Sequence, residues 1–366
     1  MSLQMEMKKN CFISLLLLYL LAILYLAATT PITPHEAKLL YASHNVVSLL
    51  MQWSHRYIPG FIGLRLFFIF FGFLGVWLFY ELNRRHFTQK QDLYLATSIF
   101  MLIPGIITAS TMGNIGIVVL PLVLLFVLLY ESEKFLWLPL IMIVLFFVHE
   151  SSIIFFVALL IYGIAHQDKK LTIAATTFLL AFIYLAKGIA IGGRPSGYFA
   201  EIFGLYATLF SPLIFLYFFY TMYRILLRGE RSLVWYISFT AFAFSLLLSI
   251  RQRIYLTDFA PYVLIAIALM LDQFNLSYRV RLPQFQKWYR FGFYTVMVSL
   301  TISKLIIVFH KTLYDHSVDP EKHFARHIYQ PYYLVQELEA EGRNCYDTKN
   351  RRMRYQLEYY GFHSCH

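Results

Sequence analysis

"CFISLLLLYLLAILYLAATTPITPHEAKLLYA", Cys11 to Ala42, runs a stretch long enough to cross a bilayer straight into a histidine and a glutamate. Cys11 to Thr29 carries no charge and follows Lys8 and Lys9. A helix needs roughly 20 apolar residues to cross the hydrocarbon core, and this run supplies them. Its length, and the lack of a small-residue cleavage site after it, favour an uncleaved first span over a signal peptide. The rest of the chain follows the same pattern. Of 366 residues, 59% are hydrophobic and 14% are charged, whereas a soluble domain devotes roughly a quarter of its residues to charge. Apolar runs recur with no period-2 alternation, which excludes a barrel and specifies helices. The fold class is therefore an all-α integral membrane protein, a polytopic helical bundle.

Apolar segments near 11–29, 61–82, 93–109, 113–130, 134–148, 151–165, 171–187, 206–228, 233–250, 254–272 and 291–309 predict about eleven crossings. With a cytoplasmic amino terminus, the inside segments hold most of the lysines and arginines, and the short outside segments hold only Lys38, Arg56, Lys187, Arg194, Arg251 and Arg253. This is the asymmetry that membrane insertion imposes, and an odd count then puts the carboxyl tail outside. The same asymmetry accounts for most of the net charge of +11. Membrane lipids, not nucleic acid, are the expected surroundings.

Two divisions follow: a membrane domain over residues 1–309, with a first outer loop at 30–60, and a small outer carboxyl-terminal cap over 310–366. In the loop, Ala37, Leu40, Tyr41, His44, Val47 and Leu50 recur at helical spacing, predicting an interfacial helix. In the cap, "PYYLVQELEAEG" reads as a helix stopped by Gly342. Three cysteines are too few for a disulfide scaffold, and Cys345 and Cys365 match no zinc spacing. They pair only if the tail faces an oxidising compartment.

The ionisable residues near the outer boundary are the candidates for chemistry. Arg56, Lys187, Arg194, Arg251 and Arg253 lie where orientation disfavours cations. Headgroup snorkelling competes with an inward pocket for phosphate, and "RQR" at Arg251 to Arg253 leans toward the pocket. Glu36 reads either as a solvated charge or helix cap beside Lys38, or as a general base. His149 and Glu150, in "FVHESS", fall on the same outer face, as functional groups or as an ion pair that pins helix ends. Asp258 is expected to pair with a nearby arginine, and Lys304 has no partner that sequence can name.

The order of these parts resembles the GT-C superfamily of polyprenyl-phosphate-sugar glycosyltransferases, in the branch of protein O-mannosyltransferases and lipid A aminoarabinose transferases. "HEAKLLYA" matches that branch's acidic "DE..YA" stretch through Glu36, Tyr41 and Ala42. "SHRYIPG" (Ser54 to Gly60), "GLRLFFIFFGFLGVWLFYELNRR" (Gly63 to Arg85) and "LIPGIITASTMGN" keep the order that follows it. "RQRIYLTDFAPYVLIAIAL" (Arg251 to Leu269) is similar to a late "RY.lp..P" span, and "CYDTKNRRMRYQLEYYG" to a closing outer strand and helix. Three departures stand out: His35 replaces the usual first acid, Asn114 stands where an aspartate is common after the third span, and the span count is on the low side.

The resemblance implies transfer of a sugar from a polyprenyl-phosphate donor to a lipid, glycan or protein acceptor, with inversion. Glu36, with His35 beside it, would activate the acceptor. Arg56 and His55, Lys187, Arg251, Arg253 and Tyr255 would hold the donor phosphate, supported by His149, Glu150, Asp258 and Asn114. The resemblance fixes no cofactor, and the three departures leave a divalent metal open. The expected location is a bacterial inner membrane, with the site and the carboxyl terminus periplasmic. The alternatives are a polysaccharide polymerase or O-antigen ligase, which would rely on arginines and histidine in large late outer loops, and a transporter, which would need charges deep in several spans.

Overall fold

The computed structural model describes residues 2–43, 45–185 and 197–365. Among these residues the chain is helical without strands, and its one extended pairing is an isolated bridge between Cys345 and His363. His44, Lys187 and Arg194 lie outside the described residues.

α1 (Ser2–Thr29) carries the first apolar run and stops at Pro31, and α2 (Pro34–Ala42) begins after a break of four residues. A reciprocal cap starts α2: the Glu36 backbone N–H donates to Thr33 Oγ1 at 3.2 Å, and the Thr33 N–H donates to Glu36 Oε2 at 2.9 Å. The single interfacial helix expected over 37–50 is in fact two. Ser43 caps the end of α2, and Asn45 opens α3 (Val46–Tyr57) by accepting the Ser48 N–H at 2.8 Å. Small polar residues that compete for backbone hydrogen bonds divide what the apolar spacing alone would join.

α4 (Phe61–His86) runs from Arg65 near its start to a basic end of Arg84, Arg85 and His86, which suits the negative pole of a helix. α5 (Lys90–Leu102) and α6 (Pro104–Thr111) form one segment bent by 56° where Pro104 interrupts it. α7 (Gly116–Glu131), α8 (Leu138–Val148), α9 (Ser152–Ala165) and α10 (Lys169–Tyr184) follow. α11 (Phe199–Phe210) and α12 (Pro212–Arg228) bend by 108° at Ser211 and Pro212. The bundle ends with α13 (Leu233–Arg251), α14 (Ala260–Leu264), α15 (Ile267–Arg279) and α16 (Pro283–Val308). The tail forms α17 (His310–Asp315), α18 (Arg326–Ala340) and α19 (Arg351–Tyr359).

All eleven expected segments carry helix. Among the described residues, five helices are long and apolar enough to cross a membrane, or up to seven if each bent pair counts as one span; α7, α8 and α9 are shorter apolar helices. The core is continuous through α1, α4 to α9 and α11 to α15. α16 buries only Leu300 and leaves Phe291, Tyr294, Val298 and Ile302 exposed, the surface that lipid contact requires.

The tail packs around Val335, Leu338, Leu357 and Phe362 and is closed by a Cys345–Cys365 disulfide with a Cα separation of 5.1 Å. The buried Gln356 side chain of α19 donates to the Ile32 carbonyl at 2.8 Å and to the His327 carbonyl at 3.0 Å. These bonds tie the cap to the loop just before α2.

Candidate functional site

Glu36 and Arg65 form an ion pair in which both side chains are 0% exposed. Arg65 Nε donates to Oε1 at 2.6 Å and Nη2 to Oε2 at 2.8 Å, a two-pronged match of fork and carboxylate. The other donors of the guanidinium reach the Ala27 and Thr30 carbonyls at 3.0 and 2.8 Å and the Pro31 carbonyl at 3.1 Å. One side chain thus supplies the donors that the end of α1 lacks. All five guanidinium hydrogens are used.

The carboxylate is equally occupied. Besides Arg65 it accepts the Thr33 N–H, and Gly113 closes the remaining side. Gly113 has φ +55°, and a Cβ there would stand 2.7 Å from Glu36 Cγ and 2.9 Å from Oε1. Only glycine meets both demands. Glu36 is sheltered, and the guanidinium that faces it belongs to Arg65.

The arginines expected to face Glu36 lie elsewhere. Arg56 and Arg251 are exposed and, among the described residues, have no ion-pair partner. Arg253 is 73% exposed and pairs with Glu201, with Nε and Nη2 at 2.9 and 2.6 Å from Oε1. None of the three bonds Glu36, because Arg65 already saturates the acid while they sit at helix ends where water can solvate them. Tyr255 is exposed, and His55 lies against Tyr359 with ring centroids 5.5 Å apart and its buried Nδ1 unpartnered.

The other candidates gather around the α2 end. Asn114 Oδ1 accepts the Gly116 N–H at 2.8 Å and so shapes the turn into α7. A Cβ at Gly116 would lie 3.1 Å from the Thr257 carbonyl, which brings this turn against the residue beside Asp258. Asp258 does not pair with an arginine as expected. Its Oδ1 faces His149 Nε2 at 3.8 Å, and the two side chains are 24% and 22% exposed. The Ser151 backbone N–H donates to His149 Nδ1 at 3.0 Å, with Ser151 Oγ 2.7 Å away. A backbone N–H can only donate, so Nδ1 is the acceptor and the neutral ring carries its proton on Nε2, toward Asp258. Ser151 Oγ also lies 3.4 Å from the Tyr262 hydroxyl.

Burial sets the titration of this group. It raises Asp258 to about 6, with the Thr257 hydroxyl opposing and the Glu150 charge adding. It lowers His149 to about 4, helped by His35. His35 is itself lowered by burial; Glu36 opposes that shift, and Lys38 and Arg352 add to it. His35, His149, Glu150 and Asp258 are thus linked electrostatically in one cluster beside the Glu36–Arg65 pair, with His35 and Glu150 exposed and His149 and Asp258 half-buried. An apolar cleft of about 120 Å³ adjoins it, lined by Asn114, Thr257, Pro261 and Leu209. Among the described residues no three His, Cys, Asp or Glu side chains come together as metal ligands, so the donor set does not fit the divalent metal that the sequence left open.

A wide cleft of about 1070 Å³ lies at the other end of the bundle between His86, Glu131, Arg224, Arg228, Asp272 and Arg281. No residue expected from the sequence lines it. Along α4, His86 stands roughly 30 Å from Arg65 at 1.5 Å per residue.

Sequence reasoning gave Arg65 no role, although a cation in the first turns of an apolar run is a signal for a partner. Ser151, Tyr262 and Arg352 carry no comparable mark. No protein-family model matches the chain, and neither a curated protein nor a solved structure matches it.

Proposed function

We propose that the chain is a membrane glycosyltransferase with about eleven crossings that moves a sugar from polyprenyl phosphate to a lipid, glycan or protein acceptor on the outer face. One observation carries the reading: a cluster of electrostatically linked ionisable groups, His35, His149, Glu150 and Asp258, at the end of an otherwise apolar bundle, in which His149 and Asp258 are half-buried. Such groups are costly beside lipid and are retained where chemistry uses them. The order of sequence features shared with the GT-C superfamily supplies the reaction class.

The donor carries its own leaving group, so the protein has two tasks. A carboxylate takes the proton from the acceptor hydroxyl as its oxygen bonds to the anomeric carbon. The carbon–oxygen bond to phosphate breaks with its electron pair, and free polyprenyl phosphate leaves with inversion at the sugar. Lys38 and Arg352, whose charges both act on His35, would meet that phosphate. The apolar cleft beside Asn114 suits a short stretch of the isoprenoid.

Two findings support an outer site. A disulfide forms in an oxidising compartment, and the cap that holds Cys345–Cys365 is tied through Gln356 to the loop before α2. In a bacterium the cluster would then face the periplasm.

The test is reconstitution of the full chain in liposomes with a panel of polyprenyl-phosphate sugars and source-cell membrane extract, read by mass spectrometry. The expected result is release of free polyprenyl phosphate together with a glycosylated acceptor. Intact donors throughout the panel would overturn the reading.

A further inference from the structure

Two carboxylates at the α2 end compete for the role of base. Glu36 is fully enclosed, its oxygens held by both prongs of Arg65 and the Thr33 N–H, with Gly113 packed too closely against it to admit a side chain. A base must reach the proton it takes, within a hydrogen bond or one water. Glu36 has no free approach, and freeing one would strip a buried arginine of its counter-charge.

Asp258 differs in each respect. It lies in the short 3₁₀ turn Leu256–Asp258 between α13 and α14, partly open to solvent, and makes no ion pair with an arginine among the described residues. His149 Nε2 lies 3.8 Å from it, and the Ser151 N–H to Nδ1 keeps the proton of the neutral ring on that nitrogen. Ser151 is fixed in turn from α14 by the Tyr262 hydroxyl. Thr257 Oγ1 donates to Oδ1 at 3.4 Å, the neutral His149 stands just beyond hydrogen-bond range of the same oxygen, and among the described residues no hydrogen bond reaches Oδ2, which leaves it for an acceptor. Resting on the glycosyltransferase reading, we propose that Asp258 is the base that removes the acceptor proton, that His149 is its positioning residue, and that Glu36 belongs to the scaffold.

The balance is simple. The acceptor O–H proton passes to Asp258, the acceptor oxygen bonds to the anomeric carbon, and the electron pair of the broken bond leaves on phosphate. Asp258 then returns the proton to solvent. The charged or titratable groups around it are His149 and Glu150 from the turn between α8 and α9, His35 of α2 acting on His149, Tyr262 of α14, and Glu201 of α11, which packs on this turn and is already paired with Arg253. A base titrating near 6 is ionised at neutral pH, so transfer should rise through pH 6 and level off above it. Glu150 raises that value, so Glu150→Gln should move the limb to lower pH.

The experiment measures release of polyprenyl phosphate from polyprenyl-phosphate sugars against pH. It compares the full chain in liposomes with Asp258→Asn, Asp258→Glu, His149→Gln and Glu150→Gln, each normalised to folded protein by size-exclusion chromatography. Expected are a loss of about 100-fold or more in Asp258→Asn, partial return in Asp258→Glu, an altered acidic limb in His149→Gln, and a limb shifted to lower pH in Glu150→Gln. Should Asp258→Asn fail to fold, the Glu150→Gln shift decides. Wild-type-like transfer by Asp258→Asn, or an unmoved limb in Glu150→Gln, overturns the assignment alone. No transfer by the wild type overturns the functional reading with it.

Discussion

Glu36 and Asp258 sit at the same end of the bundle, joined through the turn at Gly113 to Gly116, yet their surroundings are opposite. Around Glu36 every donor and acceptor is matched: five guanidinium hydrogens, two carboxylate oxygens, a capping box and the loose carbonyls of α1. Around Asp258 the partners are fewer, longer and partly wet. A buried charge that is fully paired holds backbone in place. One that is half-paired and reachable can change its protonation state as a substrate arrives. Burial alone therefore does not mark a catalytic acid, and the number of hydrogen-bond positions left free distinguishes the two.

The largest effect that would break this comparison lies in the pair. Removing either partner leaves an uncompensated buried charge, so Glu36→Ala or Arg65→Ala should cost about 3–5 kcal/mol. Thermal unfolding in detergent should show a greatly reduced midpoint or no folded protein. A stable Arg65→Ala protein would mean that the pair does not hold α1, α2 and α4 together. Loss of activity in Glu36→Ala is accordingly no evidence for catalysis by that side chain.

Next comes the cap. The Cys345–Cys365 bridge closes a loop with a sequence separation of 20 around α19, and such a cross-link contributes about 3 kcal/mol to its own unit. Replacing both cysteines with serine should expose the tail to protease while α1 to α16 stay resistant. Equal cleavage with and without the bridge would show that Gln356 and the apolar contacts suffice.

A smaller effect is expected at Gly113. Alanine there combines a left-handed backbone with a close approach to Glu36, for a loss of about 1–3 kcal/mol. Unfolding midpoints check this, and an unchanged midpoint would mean that Glu36 moves aside easily. Smallest of all is Arg253→Ala. Its pair with Glu201 is exposed, so transfer should change by no more than about twofold. A far larger loss would return Arg253 to the donor site.

Much of this fold is legible in the sequence, and the illegible parts have physical causes. Apolar runs mark the helices because lipid allows no other backbone. Pro104 and Pro212 mark the bends. The capping box of Thr33 and Glu36 is visible as a spacing, but the partner of Glu36 lies 29 residues away in another helix, beyond any local pattern. His149 and Asp258 could each be singled out as ionisable groups in apolar surroundings. Their meeting depends on how α8, α9 and α14 pack, so a nearby arginine was the natural expectation for Asp258. The disulfide was readable as a possibility and became a fact only when the tail folded.

The measurement that bears most directly on this division of roles is sugar transfer per folded molecule in Glu36→Gln set beside Asp258→Asn. Glu36→Gln should yield less folded protein, while the folded fraction still transfers within about tenfold of wild type. Asp258→Asn should fold normally and lose about 100-fold or more. The reverse order, a folded and inactive Glu36→Gln with an active Asp258→Asn, would contradict it.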